Sequence, residues 1–264
     1  MDEFAARLRR LPDDMLVALA FFSRMPVPQS RTASFDMTKA AAGWPLAGLL
    51  LALPPAIVFL IARAADFPAI IAAALALALF VALTGGMHED GLADTFDGVG
   101  GGSTPAEKLA IMDDSRLGTY GALALFFTLA VKLTALSILG LFPGYGALAL
   151  IAAAVVSRAL ALWHWQATLP ARPGGMARAA GRPDWPALVT GLAIGGVAAL
   201  ALIIGFGLPA LIGLLLAAVG VGLFSPFIAR QLGGHTGDTI GAAQQIAEAL
   251  LFAGLAIGGP SIFI

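Results

Sequence analysis

Seven carboxylates crowd one short stretch of this chain. Between Gly85 and Arg116 stand Glu89, Asp90, Asp94, Asp97, Glu107, Asp113 and Asp114, opposed only by Lys108 and Arg116. Asp90, Asp94 and Asp97 are spaced i, i+4, i+7, which puts all three on one face if the segment is helical. Like charges on one face repel, so the pattern is poor for stability and suited to a divalent cation. Ligation by carboxylate oxygen favours Mg²⁺ or Mn²⁺ over zinc, and the absence of Cys excludes a thiolate site. Gly98, Gly100, Gly101 and Gly102 leave room for a phosphate to approach the backbone. Thr104-Pro105-Ala106-Glu107 reads as a capping box with Pro at the first helical position. The short helix it starts runs to about Met112 and returns Asp113, Asp114 and Arg116 towards the first acids, with Arg116 suited to a phosphate oxygen. Spacing alone leaves His88 as a ligand, a base or a helix-end hydrogen-bonder.

The elements that position these acids lie in a membrane. Of 264 residues only 12% are charged and 59% are hydrophobic, with 32 glycines besides and a mean hydropathy of +0.90. A soluble domain is about 25% charged. Disorder and a disulfide scaffold are excluded, and a net charge of -1 argues against a nucleic-acid partner. The predicted fold is all-α: a single-domain (1–264) polytopic helical bundle with about seven transmembrane helices, at about 43–62, 68–86, 119–141, 146–165, 187–206, 208–229 and 246–264. Pro54-Pro55 predicts a kink in the first, and Phe206-Gly207-Leu208-Pro209 a tight hairpin between the fifth and sixth. Ahead of them, within an N-terminal segment 1–42, Met15 to Met25 is too short to span and reads as an interfacial helix ending at Pro26-Val27-Pro28. Residues 1–14 do not read as a cleavable signal peptide.

These spans place twelve of the fifteen Lys/Arg on the side of the N-terminus, which the positive-inside rule makes cytoplasmic. Only Asp66 of the sixteen acids falls on the far side, so the acidic loop 87–118 faces the cytoplasm from a plasma (inner) membrane. Asp238 reads as a helix N-cap or as a contact to substrate or metal. Arg158 lies inside a span and is a functional candidate by default, with a structural pair to Glu248 as its competitor. Lys132 is expected to snorkel. The loop 170–186, with Arg172, Arg178 and Arg182 near Trp163, Trp165 and Trp185, suits a lipid anchor or a cover over a bulky substrate.

Several ordered motifs resemble the cobalamin synthase (adenosylcobinamide-GDP ribazoletransferase) family. His88-Glu89-Asp90-Gly91-Leu92-Ala93-Asp94 with Asp97-Gly98, and Asp114-Ser115-Arg116 with Gly118 and Gly121, are the longest. Phe21, Arg24, Pro26 and Pro28, then Ser157-Arg158, the turn from Pro170 to Gly175, and Gly233 to Thr239 also match, with a departure at His235. The resemblance implies that the hydroxyl of α-ribazole, or of its 5′-phosphate, attacks the cobinamide-linked phosphate of adenosylcobinamide-GDP, releasing GMP. It also implies a Mg²⁺-dependent integral membrane enzyme. On that footing Asp90, Asp94, Asp97 and Asp114 would hold one or two Mg²⁺, and Asp113 or His88 would take the hydroxyl proton. Arg116 would steady a phosphate oxygen, while Arg158, Arg172 and Asp238 would contact substrate. An oligomer is compatible with all of this.

Two rivals share some features. A CDP-alcohol phosphotransferase of lipid synthesis uses the same logic, and Asp94-x-x-Asp97-Gly98 matches half of that motif. Gly101-Gly102 stand where its Ala-Arg belongs. An ion-coupled transporter would place its carboxylates near the bilayer midplane, whereas these cluster in a loop.

Overall fold

The computed structural model describes residues 2–28, 36–172 and 181–257. Its elements are helices: α1 (Asp2–Phe22), α2 (Met37–Ala64), α3 (Ala69–Thr84), α4 (Met87–Gly101), α5 (Pro105–Met112), α6 (Thr119–Leu139), α7 (Pro143–Ala167), α8 (Trp185–Phe206), α9 (Leu208–Leu232) and α10 (Gly237–Leu255). α2 opens with one α-turn and the 3₁₀ turn Ala41–Gly43. Among the described residues the sole β pairing is an isolated bridge from Pro170 to His235. The all-α expectation is met.

Five helices, α2, α6, α7, α8 and α9, are long and apolar enough to cross a membrane. A sixth crossing requires α3 and α4 together, and these meet at 86°. The seventh expected span becomes α10, which starts earlier than predicted. It carries Asp238, Gln244, Gln245 and Glu248, and it does not qualify as apolar. Residues 258–264 of that expected span lie outside the described residues. α2 runs through Pro54 and Pro55 as one helix, and the expected hairpin closes at Gly207.

α10 packs against four helices, α4, α6, α7 and α9. Apolar burial surrounds it: Leu251, Phe252 and Leu255 join Leu136, Leu139, Leu150 and Ile228 in one cluster. A second cluster binds α1 to the body through Phe22, Trp44, Leu51, Leu162 and Trp165. α1 is longer than the expected interfacial helix, because its polar first half has partners. Arg7 is buried, donating to the Lys39 carbonyl at 2.7 Å and to Asp14 at 3.2 Å, with a short ion pair to Asp184. Tertiary contact therefore carries the helix through Pro12. Trp163 and Trp185 are exposed as belt residues are, while Trp165 is buried and stacks on Trp44 at 4.9 Å.

Lys132 does not snorkel. It is 2% exposed, and its Nζ donates to Glu248 Oε2 at 2.6 Å and to Gln245 Oε1 at 3.0 Å. Glu248 is thus taken by Lys132, leaving Arg158 without the pair considered for it. Removing one partner of a buried ion pair strands the other charge, at a cost of about 3–5 kcal/mol. Lys132→Met is expected to lower the melting temperature of detergent-solubilised protein strongly, and Lys132→Met with Glu248→Leu to recover most of the loss. Additive losses in the double variant would contradict the pairing.

Candidate functional site

Gly85 and Gly86 turn the chain. Both adopt left-handed φ, +65° and +73°, which only glycine adopts without strain. α3 ends there and α4 leaves across the end of the bundle. Arg24 secures the corner: its backbone N–H donates to the Leu83 carbonyl at 2.9 Å, and its side chain lies on Gly85. The acidic segment read as a loop is therefore a helix seated crosswise. One flank meets α10, with Gly91 against the Asp238 backbone.

Its far end meets the start of α6. Asp97 Oδ2 accepts the Gly118 N–H and Oδ1 the Gly121 N–H, each at 2.8 Å. A carboxylate here offsets the positive end of the α6 dipole and satisfies two N–H groups that a helix start leaves free. A Cβ at Gly118 or Gly121 would collide with the Asp97 carboxylate, which explains this Gly-x-x-Gly spacing. Asp97 departs from the ligand role expected of it, since both its oxygens are engaged by backbone.

α5 then returns the chain. Its capping box forms as predicted, with Thr104 and Glu107 satisfying each other's backbone N–H. It docks through Arg172, which donates to Asp113 at 2.8 Å and to the Leu109 carbonyl at 2.9 Å, and through Lys108 on Gln231 of α9. The strap carrying Arg172 is pinned to the α9–α10 turn. There His235 N–H donates to the Leu169 carbonyl at 2.7 Å, and Ala171 N–H to the His235 carbonyl at 2.9 Å. His235 itself is buried, its Nδ1 3.0 Å from Thr168 Oγ1, and burial pushes its ring down to about 4, so it stays neutral.

This packing gathers Asp94 with Asp90 and Asp238. Burial, then the charges of Asp90, Asp238, Asp97 and Asp113, push Asp94 up to about 7. Asp238 is half-buried and also raised, first by burial, although its oxygen accepts from Thr236 Oγ1 at 3.2 Å. Thr236 caps α10, so Asp238 is left free of the cap role considered for it. Asp90 is exposed. Asp114 departs from the expected ligand set: Arg116 grips its carboxylate from Nε at 3.0 Å and from Nη2 at 2.5 Å, lowering it and making a self-contained surface pair.

The other expected site residues separate. His88 is 4% exposed and lies 5.3 Å from the Phe22 ring, and the charges acting on it are those of Arg158 and Lys132. Arg158 is 1% exposed, between the rings of Phe22 and Phe80 at 5.7 and 5.6 Å, with Nη1 on the Ala154 carbonyl at 3.1 Å. That position closes it to a substrate arriving from water, so it acts as an internal cation stacked on aromatics. Arg182 donates to the Thr168 carbonyl, and Arg178 lies outside the described residues.

Among the described residues, no three His, Asp or Glu side chains close on a common point. The donors gathered around Asp94 are all carboxylate oxygens that disfavour one another's charge, and this fits a hard divalent cation. Mg²⁺ commonly takes one or two carboxylates and completes its sphere with water and substrate phosphate, so an open set of this kind suffices. The sequence missed Asp97's structural bond and, on α10, Gln244 and Gln245. The Gly118-x-x-Gly121 spacing after an Asp was the available signal for the first.

The fold and site together describe a polytopic helical membrane protein with a cluster of carboxylates at one end of its bundle. A family profile, cobalamin-5-phosphate synthase, matches residues 14–256. A Rhizobium johnstonii protein is 43% identical over 249 residues, 92% of this chain and 96% of its own. One from Sinorhizobium medicae is 42% identical over 257 residues, 95% and 98% of the two chains, and one from Brucella ovis 43% over 251, 92% and 95%. All three are named adenosylcobinamide-GDP ribazoletransferase. No solved structure matches. The chain belongs to the cobalamin-5-phosphate synthase family.

Hydrogen bonds to a charged group are worth about 1.5–3 kcal/mol. Asp97→Ala should therefore destabilise the folded protein by about 2–3 kcal/mol, and Gly121→Ala should do so through collision with the same carboxylate. Thermal unfolding in detergent reads both, and wild-type melting in either variant would contradict the anchoring role.

Proposed function

We propose that the chain transfers the phosphocobinamide moiety of adenosylcobinamide-GDP to the hydroxyl of α-ribazole, or of its 5′-phosphate, with Mg²⁺. The hydroxyl oxygen forms a bond to the cobinamide-linked phosphorus, the phosphoanhydride breaks, and GMP leaves with the diphosphate's bridging oxygen. The observation that supports the reading is half-buried Asp94, on which the charges of Asp90, Asp238, Asp97 and Asp113 act together at one end of the bundle. Family membership and the names of the relatives support the substrates.

Mg²⁺, when bound, neutralises charge on the diphosphate. Asp90, Asp94 and Asp238 are the residues that would hold it. Asp97, locked to the start of α6, keeps α4 from sliding and fixes where Asp94 stands. Of the two bases considered, only Asp113 is exposed, while Phe22 covers His88. Arg172 steers Asp113 from the strap, and Arg116, 87% exposed at its side chain and held to Asp114 through Nε and Nη2, offers Nη1 to a phosphate oxygen. The Lys/Arg bias of the loops supports a cytoplasmic site in the plasma membrane, and the exposed apolar faces of α6, α8 and α9 fit lipid.

Asp94→Asn is expected to cut GMP release by about 100-fold or more, the scale of losing a charge-stabilising group, with the melting temperature retained. Release near the wild-type rate would overturn the assignment.

A further inference from the structure

α4 and α10 share a polar seam that the proposed reaction leaves unexplained. Going along α10, Asp238 backs onto Gly91, Gly241 onto the His88 backbone, and Gln245 onto Glu89. The two helices thus run in opposite directions. The first two contacts are close backbone approaches and the third is a hydrogen bond, Gln245 Nε2 to Glu89 Oε1 at 3.0 Å. Asp90 follows Glu89 directly, so whatever fixes Glu89 fixes the rotation of α4 about its axis and the direction of the acids.

The Gln245 amide is held in one orientation. Its Oε1 accepts from Lys132 Nζ at 3.0 Å, and its Nε2 donates to Glu89 and to Gln244 Oε1 at 2.9 Å. A flipped amide would present hydrogens to the ammonium and oxygen to a carboxylate, repulsive on both sides. Gln244 Nε2 in turn donates to Ser157 Oγ of α7 at 2.9 Å. Lys132 and Glu248 lie 2.6 Å apart. The Gln245 amide takes a further hydrogen of the same ammonium and connects that pair to α4. Gln245 is 2% exposed, and an apolar side chain in its place would leave Glu89 Oε1, Gln244 Oε1 and one Lys132 hydrogen without this partner.

We propose that Gln245 is a positioning residue: by bonding Lys132 on one side and Glu89 on the other, it uses the buried Lys132–Glu248 pair to set the seat of α4 and so the aim of Asp90 and Asp94. The effect on rate rests on the reaction proposed above, and the effect on cation binding does not.

The test uses the full chain in detergent. Mn²⁺ binding is followed by its EPR signal, and GMP release from adenosylcobinamide-GDP and α-ribazole is followed with Mg²⁺. Gln245→Leu removes the link at similar volume. It is expected to weaken Mn²⁺ binding about fivefold or more and lower kcat about tenfold or more, with KM for adenosylcobinamide-GDP changed less than about threefold. Glu89→Gln keeps an acceptor oxygen and should stay within about threefold of wild type on every reading, whereas Glu89→Leu should behave like Gln245→Leu. Unchanged Mn²⁺ affinity in Gln245→Leu, or equal impairment in Glu89→Gln and Glu89→Leu, overturns the proposal. If Gln245→Leu fails to fold, the two Glu89 variants decide it on the same readings. A wild type that binds Mn²⁺ and releases no GMP defeats the reaction alone, and the Mn²⁺ titration still answers for Gln245.

Discussion

Negative charge is costly at the end of an apolar bundle, and the architecture around α4 answers that cost one carboxylate at a time. Asp97 is given two backbone N–H groups of α6, Asp113 the Arg172 guanidinium, and Asp114 that of Arg116. Glu89 receives the Gln245 amide. What is left over is Asp94, with Asp90 and Asp238 beside it, and the charges acting on it are those of other aspartates. A group pushed up to about 7 by burial and by its neighbours' charge is a place where a divalent ion gains most.

The same economy runs through the interior. α10 crosses the middle of the molecule with two glutamines and a glutamate facing other helices, and each is matched by a donor or acceptor from α4, α6 or α7. Where backbone groups and lipid offer no alternative partner, such contacts fix which helix faces which. The apolar clusters supply cohesion and the polar seam supplies register. Arg158 belongs to this interior: two phenylalanine rings and a carbonyl surround a cation that the sequence marks as functional because it lies in a span.

Local chemistry was legible in the sequence and long-range chemistry was not. Thr104 to Glu107 names its own capping box, and Gly207 its own hairpin, because the interacting groups are neighbours in the chain. The i, i+4, i+7 spacing of Asp90, Asp94 and Asp97 was compatible with a helix, although the segment read as a loop, and the helix Met87–Gly101 puts that spacing on one element. The spacing could not tell that Asp97, three residues past Asp94, turns to the start of α6 while the other two stay open. Nor does hydropathy reveal that Lys132 finds Glu248, which lies 116 positions away. The span count came down from seven because α10 starts at Gly237 and carries polar groups whose partners lie inside the protein, and because α3 and α4 meet at 86°. Arg7 lengthened α1 through contacts with Lys39 and Asp184 that no window of sequence displays.

Pushed up to about 7, Asp94 carries a proton below neutral pH that a bound divalent cation would displace. Calorimetric titration of Mg²⁺ in two buffers of different ionisation enthalpy counts that proton. With Asp94 near 7, roughly one proton per bound ion should be released at pH 6 and close to none at pH 8, with tighter binding at the higher pH. Mg²⁺ binding with the same proton count at both values, or no binding at either, would contradict the account.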